Sequence, residues 1–339
     1  MVLVASPRFA RHVSPPGHPE CVERAHVLED VANTWVLRSG RRTIEPRPAT
    51  EDELLRVHTS AHVERMAATR GKAIMLDPDT FTSPDSYDVA LLAAGATIQA
   101  AEHALREREP AFALVRPPGH HAESDRAMGF CLFNNIAVAA AAMLASGLER
   151  LAIVDIDVHH GNGTQAMFYD EPRVLYVSTH QFPFYPGTGA ADEIGVGRGR
   201  GLTVNVPMEA GCNDADYSLV HREIVKPVLE EFRPELVLVS VGYDAHERDP
   251  LASMRMTTQG YQAVVAQLCE VGMRHGALAL VTEGGYDLAT LKACLDTSIS
   301  VLEGGAPPRA VDAPAPRGAR AVAQVRAILK PFWRFIRDV

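Results

Sequence analysis

The stretch LAIVDIDVHHGNGTQ (151–165) ends a short apolar run in two aspartates, two adjacent histidines and a glycine-rich turn. Ionisable groups at the end of a buried strand are costly to desolvate unless they are paired or bind something. On a strand, side chains alternate, so Asp155, Asp157 and His159 share one side and His160 faces away. Asp157 and His159 thus make a carboxylate–imidazole pair suited to one metal, although a buried, hydrogen-bonded Asp–His pair would account for the same residues. A second apolar run, LVLVSV (236–241), leads into Gly242, Tyr243 and Asp244. Asp244 can complete an Asp/His/Asp set, and three protein ligands with an open position is the pattern of a catalytic zinc.

Two further clusters matter only near such a metal. In RPPGHHAE (116–123), His120 and His121 are neighbours in a loop, where histidine pairs are often incidental. Beside a metal they can take a proton from activated water and return one to a leaving group. In TEGGYD (282–287), two glycines let the backbone turn closely, and the Tyr286 phenol could donate to an oxyanion. GNGTQ lacks the Lys-Ser/Thr of a phosphate loop, and no dinucleotide fingerprint, Ser nucleophile elbow or evident Cys–His setting occurs. Metal-assisted hydrolysis remains.

These clusters need a scaffold that brings strand ends together. Apolar runs at 111–115, 151–157, 174–179, 203–207, 236–241 and 278–284 predict strands. Amphipathic stretches at 87–105, 133–147, 216–232 and 258–275 predict the intervening helices. Strands apolar throughout and separated by helices imply a mainly parallel sheet covered on both faces, a three-layer α/β/α domain. Ligands in such sheets bind beyond the carboxyl ends of the strands. The loops 116–130 and 180–201, which follow strands, and 78–86 are therefore expected at the rim of a site. A catalytic domain is expected over 1–303, and 304–339 is expected to hold a Pro/Ala/Gly-rich linker (304–320) and then a basic amphipathic helix. This helix should dock on the domain or on a partner subunit of a homo-oligomer.

Composition limits the alternatives. A chain of 339 residues with 47% hydrophobic and 22% charged residues can bury a large core. Its net charge of −9 argues against direct nucleic-acid binding. Five dispersed cysteines without a CxxC pair exclude a zinc ribbon and suit a reducing, cytoplasmic setting. The N-terminal apolar run is too short for a signal peptide, and the run at 136–145 is about half a membrane span, so no membrane association is expected.

Taken in order, PPGHPE (15–20), RPPGHHAESDRAMGFCLFNNIAVAA (116–140), VDIDVHHGNGTQAMFY (154–169), HQFPFYPGTG (180–189), SVGYDAHERDPLASMRMT (240–257) and LVTEGGYD (280–287) resemble one family. It is the zinc-dependent histone deacetylase superfamily, which includes acetylpolyamine amidohydrolases and has the arginase–deacetylase fold. The resemblance runs over about residues 12–300 and is nearest to the class II branch and its bacterial relatives. It implies one zinc ion on Asp157, His159 and Asp244, His120 and His121 as the histidine dyad, and Tyr286 as oxyanion donor. It also implies one or two structural potassium ions. The first would use the Asp155 side chain, the Ser178 hydroxyl and the carbonyls of Asp157, His159 and Thr179; the second, carbonyls around Phe168, Glu171, Val174 and Leu202. Asp79 matches a rim aspartate that holds the substrate backbone; Gly129, Phe130, Tyr185 and Leu251 match the walls of the acyl-lysine channel, and Gly285 is expected among the substrate-binding residues.

The implied reaction is deacylation of lysine side chains in proteins or peptides. His121 would be the main base and then the acid, while His120, oriented by Asp155, would stabilise charge. Position 162 is Asn where some branches carry Asp, and a neutral amide should raise the His121 pKa less than a carboxylate would. HPECVER (18–24) departs from the HPERPER common in bacterial relatives, which bears on packing around Arg24. An acetylated polyamine substrate is the rival. Only about 40 residues separate Asp79 from His120, too few for the insertion typical of polyamine relatives. A two-manganese arginase-type centre would need an acid two residues after His159, where Gly161 stands. A silent acyl-lysine binding module would lack a ligand, the dyad or the tyrosine, and none is missing.

Overall fold

The structure is a computed structural model, and it describes residues 1–305 and 313–337. Seven of its strands form one sheet: β1 (Val2–Val4), β4 (Ala111–Ala113), β5 (Leu151–Asp155), β6 (Val174–Gln181), β7 (Thr203–Met208), β8 (Leu236–Val241) and β9 (Ala277–Thr282). The remaining pair, β2 (Ile74–Met75) and β3 (Phe81–Thr82), makes a small antiparallel hairpin. The large sheet has the order β1-β4-β9-β8-β5-β6-β7, and every pairing in it is parallel.

Apolar residues occupy both faces of the sheet, which is why its strands read as unbroken hydrophobic runs. Leu151, Ile153, Leu236, Leu238 and Ala279 point into one helical layer; Ala152, Val154, Val237, Val239 and Leu280 point into the other. Helices Ser86–Glu107 and Asn135–Ala145 belong to the first layer, while Thr258–His275 and Leu288–Leu302 belong to the second. Because the strands are parallel, the loops leaving β4, β5, β6, β8 and β9, which are all neighbours, open on one edge of the sheet.

Several elements differ from expectation. The edge strand β1 is only three residues long, too short to show a period. Helix Val22–Ser39 was not expected, because fully buried Arg24 interrupts its apolar face. The predicted helix 216–232 is Asp214–Val220, a π-turn at His221–Val225, then Lys226–Phe232. Pro227 has no N–H to donate and would clash with the turn before it, and the wider turn accommodates it. The C-terminal helix spans Pro316–Leu329 and stops before Pro331; a short turn, Arg334–Arg337, follows. Its buried face (Ala321, Val322, Val325, Leu329) and Trp333 join the same core as Val204 and Tyr217, and the Trp333 indole N–H donates to the Gly201 carbonyl at 3.0 Å. Of the predicted linker, 304–320, residues 306–312 lie outside the described residues, and 316–320 are the start of the C-terminal helix rather than extended chain.

Candidate active site

The sequence places the opening aspartates on a strand through 157, but β5 ends at Asp155. Beyond it the alternation is kept by side chains turning back on the backbone rather than by the sheet ladder. The Asp157 N–H donates to Asp155 Oδ1 at 3.1 Å, and the His159 N–H donates to Asp157 Oδ1 at 2.9 Å. Short carboxylates hydrogen-bond two residues ahead in this way and fix a turn. His160 does face away. Fully buried, it is bonded to Thr188 and Gln165, and burial lowers its pKa to about 3.

Asp157, His159 and Asp244 converge, each offering a ligand atom within 4.8 Å of the others. Their other atoms are committed: Asp157 Oδ2 accepts the Gly284 N–H at 2.9 Å and Asp244 Oδ1 accepts the Val158 N–H at 3.0 Å. Asp244 Oδ2 is buried and lacks a well-directed hydrogen bond, although His159 Nδ1 lies 3.3 Å away. Burial disfavours a charged His159, but the two carboxylates beside it push its pKa up to about 10. The cluster thus demands a positive charge, and its O, N, O donor set with one orphaned oxygen fits a divalent metal. Glycines make room for it. A Cβ on Gly242 would sit 2.0 Å from Asp157 Oδ2, and one on Gly284 would sit 2.1 Å from Asp244 Oδ2. Gly161 has no space for the acid of a second metal, since its Cβ would meet Asp155 Oδ2 at 2.2 Å.

The histidine pair comes from the loop after β4. The ring centroids of His120 and His121 are 4.0 Å apart. His120 Nδ1 bonds Asp155 Oδ2 at 2.9 Å, whereas His121 Nδ1 bonds Asn162 Oδ1 at 2.9 Å. Burial works against charge on both rings. For His120 the carboxylates of Asp155, Asp157 and Glu283 prevail and raise its pKa well above normal. For His121, burial and then the neighbouring His120 and His159 lower it well below normal. The site therefore favours positive charge on His120 and disfavours it on His121.

Tyr286 stands across the same space. Its N–H donates to Asp249 Oδ2 at 2.7 Å, and Arg24 lies 5.1 Å from its ring centroid. Burial raises the phenol pKa well above normal, so it is a hydrogen-bond donor at physiological pH. Arg24 also donates to the carbonyls of Gly285, at 2.8 Å, and Glu283, at 2.5 Å, and is paired with Glu20 at 2.9 Å.

A cavity of about 210 Å³ joins these groups to solvent. Asp79, His120, His121, Gly129, Phe130, His159, Tyr185, Leu251 and Tyr286, all singled out in the sequence, line it with Pro118 and Phe184. Phe184, not anticipated, lies parallel to the His159 ring at 5.3 Å. Gly285 does not line the cavity; at φ +116° it turns the backbone and gives its carbonyl to Arg24. Gly129 (φ +56°) must be small, because a Cβ there would meet the His121 ring at 2.5 Å. Two buried acids escaped notice as well. Glu283 Oε2 accepts the Gly119 and His120 N–H groups, and Asp249 Oδ1 accepts the Leu251 N–H. Both are acids inside motifs already quoted, and that was the available signal.

The oxygens expected to bind potassium fall in two places. Asp155 and Ser178 are register partners on β5 and β6, and with Thr179 they are fully buried; the Thr179 hydroxyl has no hydrogen-bond partner among the described residues. Phe168 and Val174 flank the turn before β6, where the Phe168 carbonyl accepts from Glu171 and the Glu171 carbonyl from Val174.

Comparison with known proteins agrees with this geometry. The histone deacetylase domain family matches residues 18–302. A probable deacetylase of Archaeoglobus fulgidus is 41% identical over 291 residues, 84% of this chain and 81% of that one. A histone deacetylase-like amidohydrolase of Pseudomonas aeruginosa is 41% identical over 303 residues, 86% of this chain and 79% of its own. The crystal structure of the HDA15 HD domain superposes with a TM-score of 0.93 at 37% identity, covering 99% of this chain and 96% of that one. With a parallel α/β sheet carrying a buried Asp/His/Asp cluster, a histidine pair and a tyrosine around one narrow cavity, the chain belongs to the histone deacetylase family.

Proposed function

We propose that this hydrolase is a zinc-dependent amidohydrolase that removes acetyl or other short acyl groups from lysine side chains of proteins or peptides. The carrying observation is the cavity itself: a narrow channel walled by Phe130, Phe184, Tyr185 and Leu251 that ends at His159, the histidine pair and Tyr286. Aromatic and aliphatic walls suit the methylene stem of a lysine, and the histidines and Tyr286 gather at the inner end, where an amide would sit.

A zinc ion held by Asp157, His159 and Asp244 would supply the Lewis acidity that polarises the scissile carbonyl and acidifies the attacking water. The Nδ1–H of His121 donates to Asn162 Oδ1, which leaves Nε2 unprotonated and able to accept the proton of that water. The same ring then returns the proton to the departing amine. His120, kept cationic by Asp155, stays charged throughout and offsets negative charge as it builds. The Tyr286 hydroxyl donates to the carbonyl oxygen as that oxygen becomes anionic. Asp155, Ser178 and Thr179 offer an oxygen-rich position for potassium, and the turn from Phe168 to Val174 offers a second through carbonyls.

The rim supports an amide carried on a larger molecule. Asp79 and exposed Tyr185 edge an open mouth, and helix Ser86–Glu107 fills most of the chain between Asp79 and His120. Turnover by the zinc-loaded protein of acetyl-lysine peptides, longer acyl-lysine peptides and acetylated polyamines tests this. Acetyl-lysine peptides should give the highest kcat/KM. A preference for acetylated polyamines would overturn the substrate assignment, and inactivity on all three would overturn the reaction.

A further inference from the structure

Asn162 can help His121 only if its amide faces the right way, and an amide is nearly symmetric in shape. With Oδ1 toward His121 Nδ1, the ring is the Nδ1–H tautomer and Nε2 has its lone pair. With the NH2 group there instead, Nδ1 must accept, the proton moves to Nε2, and the ring cannot act as a base. Something outside the amide must decide.

From this geometry, and resting on the reading of His121 as the base, we infer that Glu123 is the positioning residue that fixes the Asn162 amide and thereby the His121 tautomer. Asn162 Nδ2 donates to Glu123 Oε1 at 2.7 Å. The other acceptors facing Nδ2, the His121 carbonyl and Met128 Sδ, are both at 3.4 Å and weak. A carboxylate only accepts, so it forces the NH2 end toward itself and Oδ1 toward His121, 2.9 Å away.

Glu123 is itself held from three sides. Its N–H donates to the Arg126 carbonyl at 2.9 Å, and Arg126 donates to Glu123 Oε2 at 2.9 Å. Its carbonyl takes a hydrogen bond from His58 Nδ1 at 3.0 Å; His58 Nε2 accepts the Asn134 N–H, so Nδ1 must be the donor. The acid thus belongs to the same rigid loop as the histidines. It lies two residues beyond His121 in RPPGHHAE and has no contact of its own with the cavity.

The inference makes positions 123 and 162 a matched set. An acceptor at 123 serves Asn162, but it would oppose a carboxylate at 162, because two carboxylates at hydrogen-bond distance repel. Glu123→Gln still offers an amide oxygen to Asn162, and its NH2 can donate to an aspartate. The effect of Glu123→Gln should therefore change sign with the residue at 162.

The test combines kcat/KM on an acetyl-lysine peptide with side-chain 15N NMR of the zinc-loaded protein, the His121 signals being assigned by their loss in His121→Ala. Wild type should show the Nδ1–H tautomer. Glu123→Ala should populate the Nε2–H tautomer and lose about tenfold in kcat/KM. Glu123→Gln should keep the wild-type tautomer and fall by no more than about threefold, since the partly exposed ion pair with Arg126 contributes little. In the Asn162→Asp background, Glu123→Gln should raise kcat/KM by about threefold or more. If Glu123→Ala does not fold, this last pair decides. An unchanged tautomer in Glu123→Ala, or a Glu123→Gln effect of the same sign in both backgrounds, overturns the inference. A tautomer change in a protein that hydrolyses no acyl-lysine supports the positioning role and instead overturns the proposed reaction.

Discussion

The rings of His120 and His121 lie 4.0 Å apart, yet one is held by the Asp155 carboxylate and the other by the Asn162 amide. The carboxylates around His120 raise its pKa against burial, whereas burial and the neighbouring imidazoles lower that of His121 despite the Asn162 hydrogen bond. Positive charge is thus favoured on His120 and disfavoured on His121, which His120 itself helps to keep neutral.

The first prediction concerns pH. His121 must be neutral to act as base, so activity is present above its pKa and lost as pH falls through it. Burial and two neighbouring imidazoles keep that pKa below 6.5. The acidic limb of kcat/KM should therefore lie below pH 6.5, and Asn162→Asp should move it upward. A pH–rate profile of both proteins checks this; a wild-type limb near pH 9 that is absent from His121→Ala would contradict it. His121→Ala itself should lose about 10²- to 10⁴-fold in kcat.

Gly284→Ala should empty the proposed metal site without replacing a ligand. Its Cβ would lie 2.1 Å from Asp244 Oδ2 and 2.7 Å from Asp157 Oδ2, and both carboxylates would have to move. Metal analysis after gel filtration should find little zinc in a folded variant. Wild-type zinc content would show that the glycine is not what lets the backbone approach.

His221 is a liability in the core. It is fully buried, neither ring nitrogen has a partner among the described residues, and burial lowers its pKa to about 3. The unfolded chain binds this proton near pH 6.5 and the folded chain does not, so stability is lost as pH falls from 6.5 toward 3. His58 and His160, at about 3, and His180, at about 4, act in the same direction. His221→Leu should stabilise by about 1–3 kcal/mol at pH 7 and by more at pH 5. Urea unfolding at both pH values measures it, and a variant weaker at both would refute it.

The C-terminal helix should be part of the folded unit. Trp333 is 4% exposed and packs in the core shared with the sheet. Trp333→Ala should cost about 3–5 kcal/mol, visible as a lower urea midpoint. An unchanged midpoint would mean that the helix packs without contributing to stability.

Much of the site was legible because its chemistry sits where apolar strands stop. Asp155, Asp244 and the histidines after β4 and β5 stand out against the buried runs before them. What escaped were residues whose importance depends on a partner distant in sequence. Arg24 drew notice only for local packing in HPECVER, yet it reaches the carbonyls of Glu283 and Gly285 more than 250 residues away. Glu123, Asp249 and Glu283 lie in the quoted motifs, but an acid that accepts backbone or amide hydrogens has no spacing signature. Phe184 was hidden in a loop without a period. The alternation argument put Asp157 and His159 together correctly but for an incomplete reason: the sheet ends at Asp155, and Asx-type turns carry the spacing onward.

The central claim is that the Asp157/His159/Asp244 cluster and Tyr286 act together on an acyl-lysine amide. Its most direct test is the rate of acetyl-lysine peptide hydrolysis by wild type and Tyr286→Phe, each metal-stripped and then reloaded with one equivalent of zinc. Reloaded wild type should be active and the stripped protein inactive. Reloaded Tyr286→Phe should retain zinc yet be slower by about 10²- to 10³-fold in kcat. Full activity without metal, or an unaffected rate in Tyr286→Phe, would contradict the account.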